Sequence, residues 1–241
     1  NIAVVLSEVL EDGGVTRVSY GLLNLTHRNS HELPEPLEPG KEYEVQIQLC
    51  EAGHRFVEGN RIRVALSTSY WPIAWPAPEK ATITLTAGVG SLALPIRPER
   101  VSDLELRQFE EAEGAEPLRK TISRGSDYQW EIKTDMKNGV VTEHQWFDEG
   151  RVTYDDHDGW TVESTHDEYR SIHPDDPLSA RLDITWTEHF QRDDWEVSSI
   201  THTLVTSTDT QIMVQADMEV KTNAKVVHER NWQLAFPRQL L

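Results

Sequence analysis

No segment of this chain carries helical periodicity. Short runs with apolar residues at every second position alternate with turn residues from one end to the other, and that pattern restricts the chain to an all-β fold. The clearest run begins at Gly59. Ile62, Val64 and Leu66 alternate with Arg61, Arg63 and Ala65, the period of a half-buried strand. Pro72 and Pro76 then end sheet pairing, because proline has no N–H to donate. Tyr43, Val45, Ile47 and Leu49 alternate in the same way with Glu44, Gln46 and Gln48, which predicts a strand with one wet face.

In the first part of the chain this pattern predicts strands at residues 2–10, 15–25, 43–49, 61–67, 81–86 and 91–96. Gly13 and Gly14 supply a hairpin turn after the first of them. A polar connection containing Pro34, Pro36 and Pro39 follows the second. Pro95, Pro98, Glu99 and Arg100 mark a boundary that divides a domain at 1–100 from one at 101–241, with residues 103–109 read as a bridging strand. Beyond it, longer strands are expected at 117–123, 128–135, 139–147, 150–156, 159–172, 178–192, 195–208, 210–222 and 226–236. Many of the intervals carry Gly, Asn or Asp, including Asp148 to Gly150 and Asp155 to Gly159. Consecutive hairpins make an antiparallel β-meander or an open barrel.

The formal net charge of −18 is uneven. Residues 1–100 hold 9 Lys/Arg against 12 Asp/Glu, and residues 101–241 hold 14 against 29. Nucleic-acid binders need a positive footprint, so no nucleic acid is expected as a partner. An acidic surface also disfavours anionic membranes, and no apolar run is long enough for a transmembrane helix, so no membrane is expected. The chain begins within a strand-like run and without Met, which reads as a piece of a longer protein. Cys50 is the only cysteine, so no intrachain disulfide can form and a cytoplasmic location is favoured. It reads as a small buried hydrophobe.

No catalytic residue stands out. The Gly-x-Ser-x-Gly elbow, Ser-x-x-Lys and Gly-rich phosphate loops are absent. Ten histidines show no metal-ligand spacing; His27 and His31 read as loop hydrogen-bonding residues, so neither metal nor cofactor is expected. The stretch from Tyr154 to Gly159 lacks carboxylates at the first and last positions of a calcium loop and reads as an acidic turn. Asn24 and Thr26 form a sequon within an apolar run expected to be strand, and it is read as chance. Of eight tryptophans, Trp130 and Trp186 lie on alternating strands and are expected in the core. Trp71 and Trp75 lie in a proline loop, and local core and contact surface remain equal readings for them. As candidate interface residues, Tyr70, Trp71 and Trp75 are large aromatics held by a stiff loop, the composition of a contact hot spot.

Several of these residues occur together in a recognisable order. Tyr20, Gly21, His27 and Arg28 are followed by Pro39, Gly40 and Tyr43. Phe56, Gly59, Asn60, Arg61, Ile62 and Arg63 come next, and then Ser67, Tyr70, Trp71 and Pro72. Over about residues 2–97 this set resembles the C-terminal β-sandwich of the cocaine-esterase-like and X-Pro dipeptidyl-peptidase-like serine hydrolases, with Asn60 where many relatives have His. The resemblance implies a partial jelly-roll β-sandwich of the galactose-binding-like type, its leading strands lying ahead of Asn1. It implies a non-catalytic role and, as partner, an α/β-hydrolase catalytic domain of the same polypeptide that carries the serine triad. Packing on that domain would shape substrate access for an acyl esterase or X-Pro dipeptidyl-peptidase, or mediate self-association as a homo-oligomer. Residues 101–241 resemble the extra acidic tail of some members, including residues 175–180 and the terminal run 237–241, to which no function attaches. The alternative reading is a free-standing carbohydrate- or ligand-binding β-sandwich protein.

Overall fold

Two antiparallel sheets make up the structure, a computed structural model that describes residues 1–238 and 240. Residues 239 and 241 of the terminal run lie outside the described residues. The all-β expectation holds: no α-helix occurs among the described residues, only short 3-10 turns.

The first sheet has the order β2-β1-β3, with β1 at Ile2–Val9, β2 at Val15–Leu23 and β3 at Arg61–Ser67. β1 is central because its run of Ile, Ala, Val, Val and Leu is apolar on both faces, as a strand covered on both sides requires. Ile2, Ala3, Val4 and Leu6 are buried there and form most of the buried apolar core. The β1–β2 hairpin closes through the Leu10 N–H bond to the Gly14 carbonyl at 2.8 Å, and of the two turn glycines only Gly13 takes a positive φ, 89°.

A buried carboxylate also sits on β1. Glu8 accepts from the Asn60 side-chain amide at 2.7 Å and from the Val57 N–H at 2.8 Å, and its other oxygen lies 2.7 Å from His54 Nε2. The Asn60 bond first, with the Val57 and His54 bonds, holds the Glu8 carboxyl below its ordinary range. The ionised group thereby fastens the loop that leads into β3.

Three expected strands of the first part are not strands. Residues 43–49 keep their alternation, odd positions half-buried and even ones exposed, but form no ladder. They run beside β2, joined through the Cys50 N–H to the Tyr20 carbonyl at 2.8 Å and the Ser19 hydroxyl to the Cys50 carbonyl at 2.5 Å. Gly21 permits this approach, since a Cβ there would stand 2.3 Å from the Gln48 carbonyl oxygen. Cys50 is exposed, not buried, because it lies on the outward side of this segment. Residues 81–86 and 91–96 are mostly exposed and form no strand. The expected bridge at 103–109 begins instead as a 3-10 turn, Val101–Glu105. Asp103 accepts the Arg100 N–H at 3.1 Å and both arms of Arg97, and these local bonds compete with an extended backbone. Asn24 lies beyond β2 and caps the 3-10 turn Leu25–His27 by accepting from the Thr26 N–H.

The second sheet contains β4 (Lys120–Arg124), β5 (Asp127–Thr134), β6 (Val141–Tyr154), β7 (Trp160–His173), β8 (Asp176–Arg192), β9 (Trp195–Ser207), β10 (Gln211–Thr222) and β11 (Lys225–Pro237). Its order is β11-β10-β9-β8-β7-β6-β4, with β5 also on β6. Among the described residues it is an open meander, since β11 at one edge does not pair with β4 or β5 at the other.

The two strands expected at 139–147 and 150–156 are the single strand β6. Asp148 to Gly150 form a bulge within it, with Gly150 at φ 81° and its N–H held by the Asp148 carboxylate at 2.8 Å. The bulge is needed because β6 has two partners on one edge. β5 pairs with its first part and β4 with its last part. Arg124 bridges Asp148 and Glu163, and Arg151 reaches Glu163 at 2.9 Å and Gln191 at 2.7 Å. Burial raises the Glu163 carboxyl, but the two arginines outweigh it and hold the group below its ordinary range.

Alternation along the strands sorts the sheet into two faces. Register places Ile122, Val152, Val162, Phe190 and Val197 in one row of the apolar face. Trp130 and Trp186 belong to this face and are not core residues: they are 59% and 42% exposed, because the face is not covered by a second layer there.

Two outcomes are expected. A Cβ at Gly150 would meet the Arg124 carbonyl oxygen at 2.4 Å, on a residue already at positive φ. Gly150→Ala should therefore cost about 2–4 kcal/mol in urea unfolding; an unchanged midpoint would show that the bulge is not constrained as described. For Glu8, a folded-state pKa below the unfolded one means stability that is present above the unfolded value, near 4.3, and lost as pH falls through the folded value. Glu8→Gln should flatten the acid limb of a stability–pH profile; a profile parallel to the parent's would exclude this role.

Candidate functional site

The loop carrying Tyr70, Trp71 and Trp75 follows directly from β3, whose register with β1 fixes where the chain leaves the sheet. The loop folds back on itself through the Ala74 N–H bond to the Tyr70 carbonyl at 2.9 Å. The Trp71–Pro72 peptide is cis. Tyr70 turns towards β2: its hydroxyl accepts from Arg17 at 3.0 Å, and its ring lies 5.6 Å from Tyr20. Trp71 and Trp75 meet edge to face, with centroids 5.2 Å apart at 83°. All three aromatics are half-buried.

The structure thus brings the three candidates together on one loop. It also gives Trp75 a partner that sequence reasoning missed. The Trp75 indole N–H donates to the Ser207 hydroxyl at 3.0 Å, and Ser207 ends β9 of the second sheet. Beside this bond lies Arg238, buried at 5% exposure. Its guanidinium donates to the Pro76 carbonyl, and also to the Thr208 carbonyl at 3.1 Å. Burial lowers the pKa of this guanidinium, yet an arginine keeps its charge. The Leu240 carbonyl accepts from Asn24 at 2.8 Å and from Thr26 at 2.7 Å, tying the chain's last turn to the end of β2. The proline loop and the C-terminal segment therefore join the two sheets. These partners are 132 and 162 residues apart in sequence, and no local pattern signals them.

The loop offers aromatic surface and main-chain carbonyls rather than catalytic chemistry. No Ser or Cys in it has a general base within hydrogen-bond reach: Ser67 and Ser69 bond only each other. His27 and His31 face one another at 3.3 Å, as a loop hydrogen bond would place them. Among the described residues no group of three or more His, Cys, Asp or Glu could hold a metal ion. Among the described residues no helix is long and apolar enough to cross a membrane. The turn at Asp155–His157 spends Asp156 on Arg119, whose Nε lies 2.7 Å away.

Residues 1–130 match the family described as the X-Pro dipeptidyl-peptidase C-terminal non-catalytic domain. The match covers more than half of the 241 residues. The chain belongs to this family. No curated protein and no solved structure matches the chain. The match contains the first sheet, the proline loop, β4 and the beginning of β5, so its edge falls inside the second sheet and not at residue 100.

The joint between the sheets is open to test. Arg238→Ala removes the donor shared by the Pro76 and Thr208 carbonyls and should cost about 1–3 kcal/mol. Hydrogen exchange should rise at residues 74–78 and 207–211 in this variant. Exchange that rises uniformly, or not at all, would show that Arg238 does not join the two sheets.

Proposed function

We propose that this chain is the C-terminal accessory region of a serine hydrolase of the acyl-esterase or X-Pro dipeptidyl-peptidase type. Family membership over residues 1–130 is the observation that carries this reading. In it, residues 1–100 form the jelly-roll part and residues 101–241 an acidic meander domain. The jelly-roll part packs against an α/β-hydrolase catalytic domain of the same polypeptide and shapes substrate access, or a second copy takes that surface. The enzyme works in the cytoplasm. The half-buried Tyr70, Trp71 and Trp75 supply the contact: rigid aromatic rings on a proline-stiffened loop lose little entropy on docking. Their role is positioning, and the triad belongs to the catalytic domain.

The test uses the whole hydrolase. Trp71→Ala should lower kcat/KM or the melting temperature of the catalytic domain by an amount in the hot-spot range, about 2 kcal/mol or more. Trp75→Phe keeps the ring but loses the bond to Ser207, so it separates contact surface from internal joint. The 241-residue chain alone should neither turn over p-nitrophenyl esters or X-Pro amides nor take up a serine-directed fluorophosphonate. Turnover by the chain alone, or a Trp71→Ala enzyme indistinguishable from the parent, would overturn the reading.

A further inference from the structure

Four rings stand in line across the apolar face of the second sheet. Register sets Tyr128 opposite Phe147, Phe147 opposite His166, and His166 opposite Trp186. The centroid separations are 5.2, 5.3 and 4.2 Å, and the last pair is nearly parallel at 6°. A groove of about 770 Å³ lies over this row. Asp127 and Glu149 line it near the β4–β5 corner, and Ser164, Glu168 and Arg170 line it along β7. The row ends at Trp186, 42% exposed.

The charges around these rings are only partly balanced. Glu168 is buried and paired with Arg170 at 2.6 Å, and Asp148 is paired with Arg124. Asp127, Glu149 and Glu188 have no cationic partner within reach among the described residues. Glu188 is half-buried on the same face as Trp186, two positions along β8, and accepts a bond from the Ser164 hydroxyl at 2.8 Å. A carboxylate in that setting is incompletely solvated and attracts a counter-charge. The face of Trp186 turned away from its stacking partner His166 carries negative potential and attracts cations too. An anion would meet repulsion from Asp127, Glu149 and Glu188, with the lining Arg170 already paired to Glu168, and a purely apolar ligand would desolvate Glu188 without compensating it.

We propose that the Trp186 end of this groove binds the guanidinium of an arginine-bearing peptide segment, stacked on the face of Trp186 turned from His166 and ion-paired with Glu188, which flanks the groove through its bond to the lining Ser164. A planar guanidinium suits both contacts at once, since it stacks on indole and meets a carboxylate with a fork of donors. The groove extends over four strands, far beyond the size of one head group, so the residues flanking the arginine lie along Phe147 and Tyr128. The uncompensated Asp127 and Glu149 at the far end favour a segment with a second basic residue.

The test titrates the intact protein with the blocked tripeptide acetyl-Gly-Arg-Gly-amide, its citrulline analogue, free guanidinium ion and maltose, followed by calorimetry and by the Trp186 indole N–H resonance. Saturable binding of the arginine peptide alone, weakened by salt, is expected. Trp186→Ala should weaken it about tenfold and Glu188→Gln about fivefold. The Glu188→Gln variant keeps the side-chain shape, so it decides the matter if Trp186→Ala does not fold. Equal affinity for the citrulline peptide or maltose, an affinity for free guanidinium that matches the peptide's, absence of saturable binding, or a folded Glu188→Gln protein with unchanged affinity would each overturn the proposal.

Discussion

A backbone segment that leaves water must find hydrogen-bond partners, and in the second sheet it finds them next door in sequence. From β6 to β10 every strand pairs with the one before it and the one after it, and β11 closes the sheet at its edge. The turns that make this possible are short, and the chain reverses with residues at positive φ such as Asp158, Gly159, Asp193 and Asn223. The exception is the outer edge of β6, where β4 and β5 share one strand. A continuous ladder cannot serve two partners that meet at a corner, so the strand takes up extra residues at Asp148 to Gly150. The Asp148–Arg124–Glu163–Arg151 network then holds the corner from the polar face. Both the regular part of the sheet and this irregularity at Asp148 to Gly150 follow from the same hydrogen-bonding requirement.

That requirement also explains what could be read from the sequence and what could not. Alternation and turn residues are local signals, and the hairpins of the second part are local structures, so strands such as β8 and β9 were legible almost to their ends. Asp148 and Gly150 were misread as a turn because a bulge uses the same chemistry: a short acceptor side chain and a glycine at positive φ. Residues 43–49 show the limit of periodicity. Their alternation correctly told which side is covered, but coverage of one side does not imply a ladder along the edge. Trp130 and Trp186 failed for a related reason. Alternation assigns a ring to a face, and whether another layer covers that face depends on distant segments. The loop of Tyr70, Trp71 and Trp75 was legible from its prolines and aromatics. Its bonds to Ser207 and Arg238 were not, and neither was the anchoring of Asn60, Val57 and His54 by Glu8.

The acidic composition has a structural counterpart on the polar face of the second sheet. Cross-strand carboxylates would repel one another at these spacings. Histidines are interleaved with them instead. His144 lies 2.7 Å from Asp167 and 3.4 Å from Glu131, with its ring stacked on Tyr169 at 4.2 Å. His202 lies 2.7 Å from Asp183 and 3.3 Å from Asp217. Arg181 adds a further bond to Asp183, and with His202 it offsets the burial that would otherwise raise that carboxyl, so that Asp183 stays below its ordinary range. The histidine bridges join neighbouring strands, while Arg181–Asp183 lies within β8, so the histidine side chains reinforce the pairing that the backbone sets.

The two faces of the sheet therefore meet different conditions. On the polar face, carboxylates are matched by histidine and arginine across strands. On the apolar face, the end near Ser207 is fastened to the proline loop through Trp75, and the β7–β8 turn reaches Lys80 through Asp175 at 3.7 Å. The span from Tyr128 to Trp186 has no such attachment. A partner could lie there without breaking the joint that holds the two sheets together, because the joint uses the ends of β9 and β11 and the open span runs from the start of β5 across the middle of β6 and β7 to β8. One sheet can thus serve as a fixed support at its end and present a free surface at its centre. The separation follows from strand length: β8 has 17 residues, long enough for its two ends to lie in different surroundings.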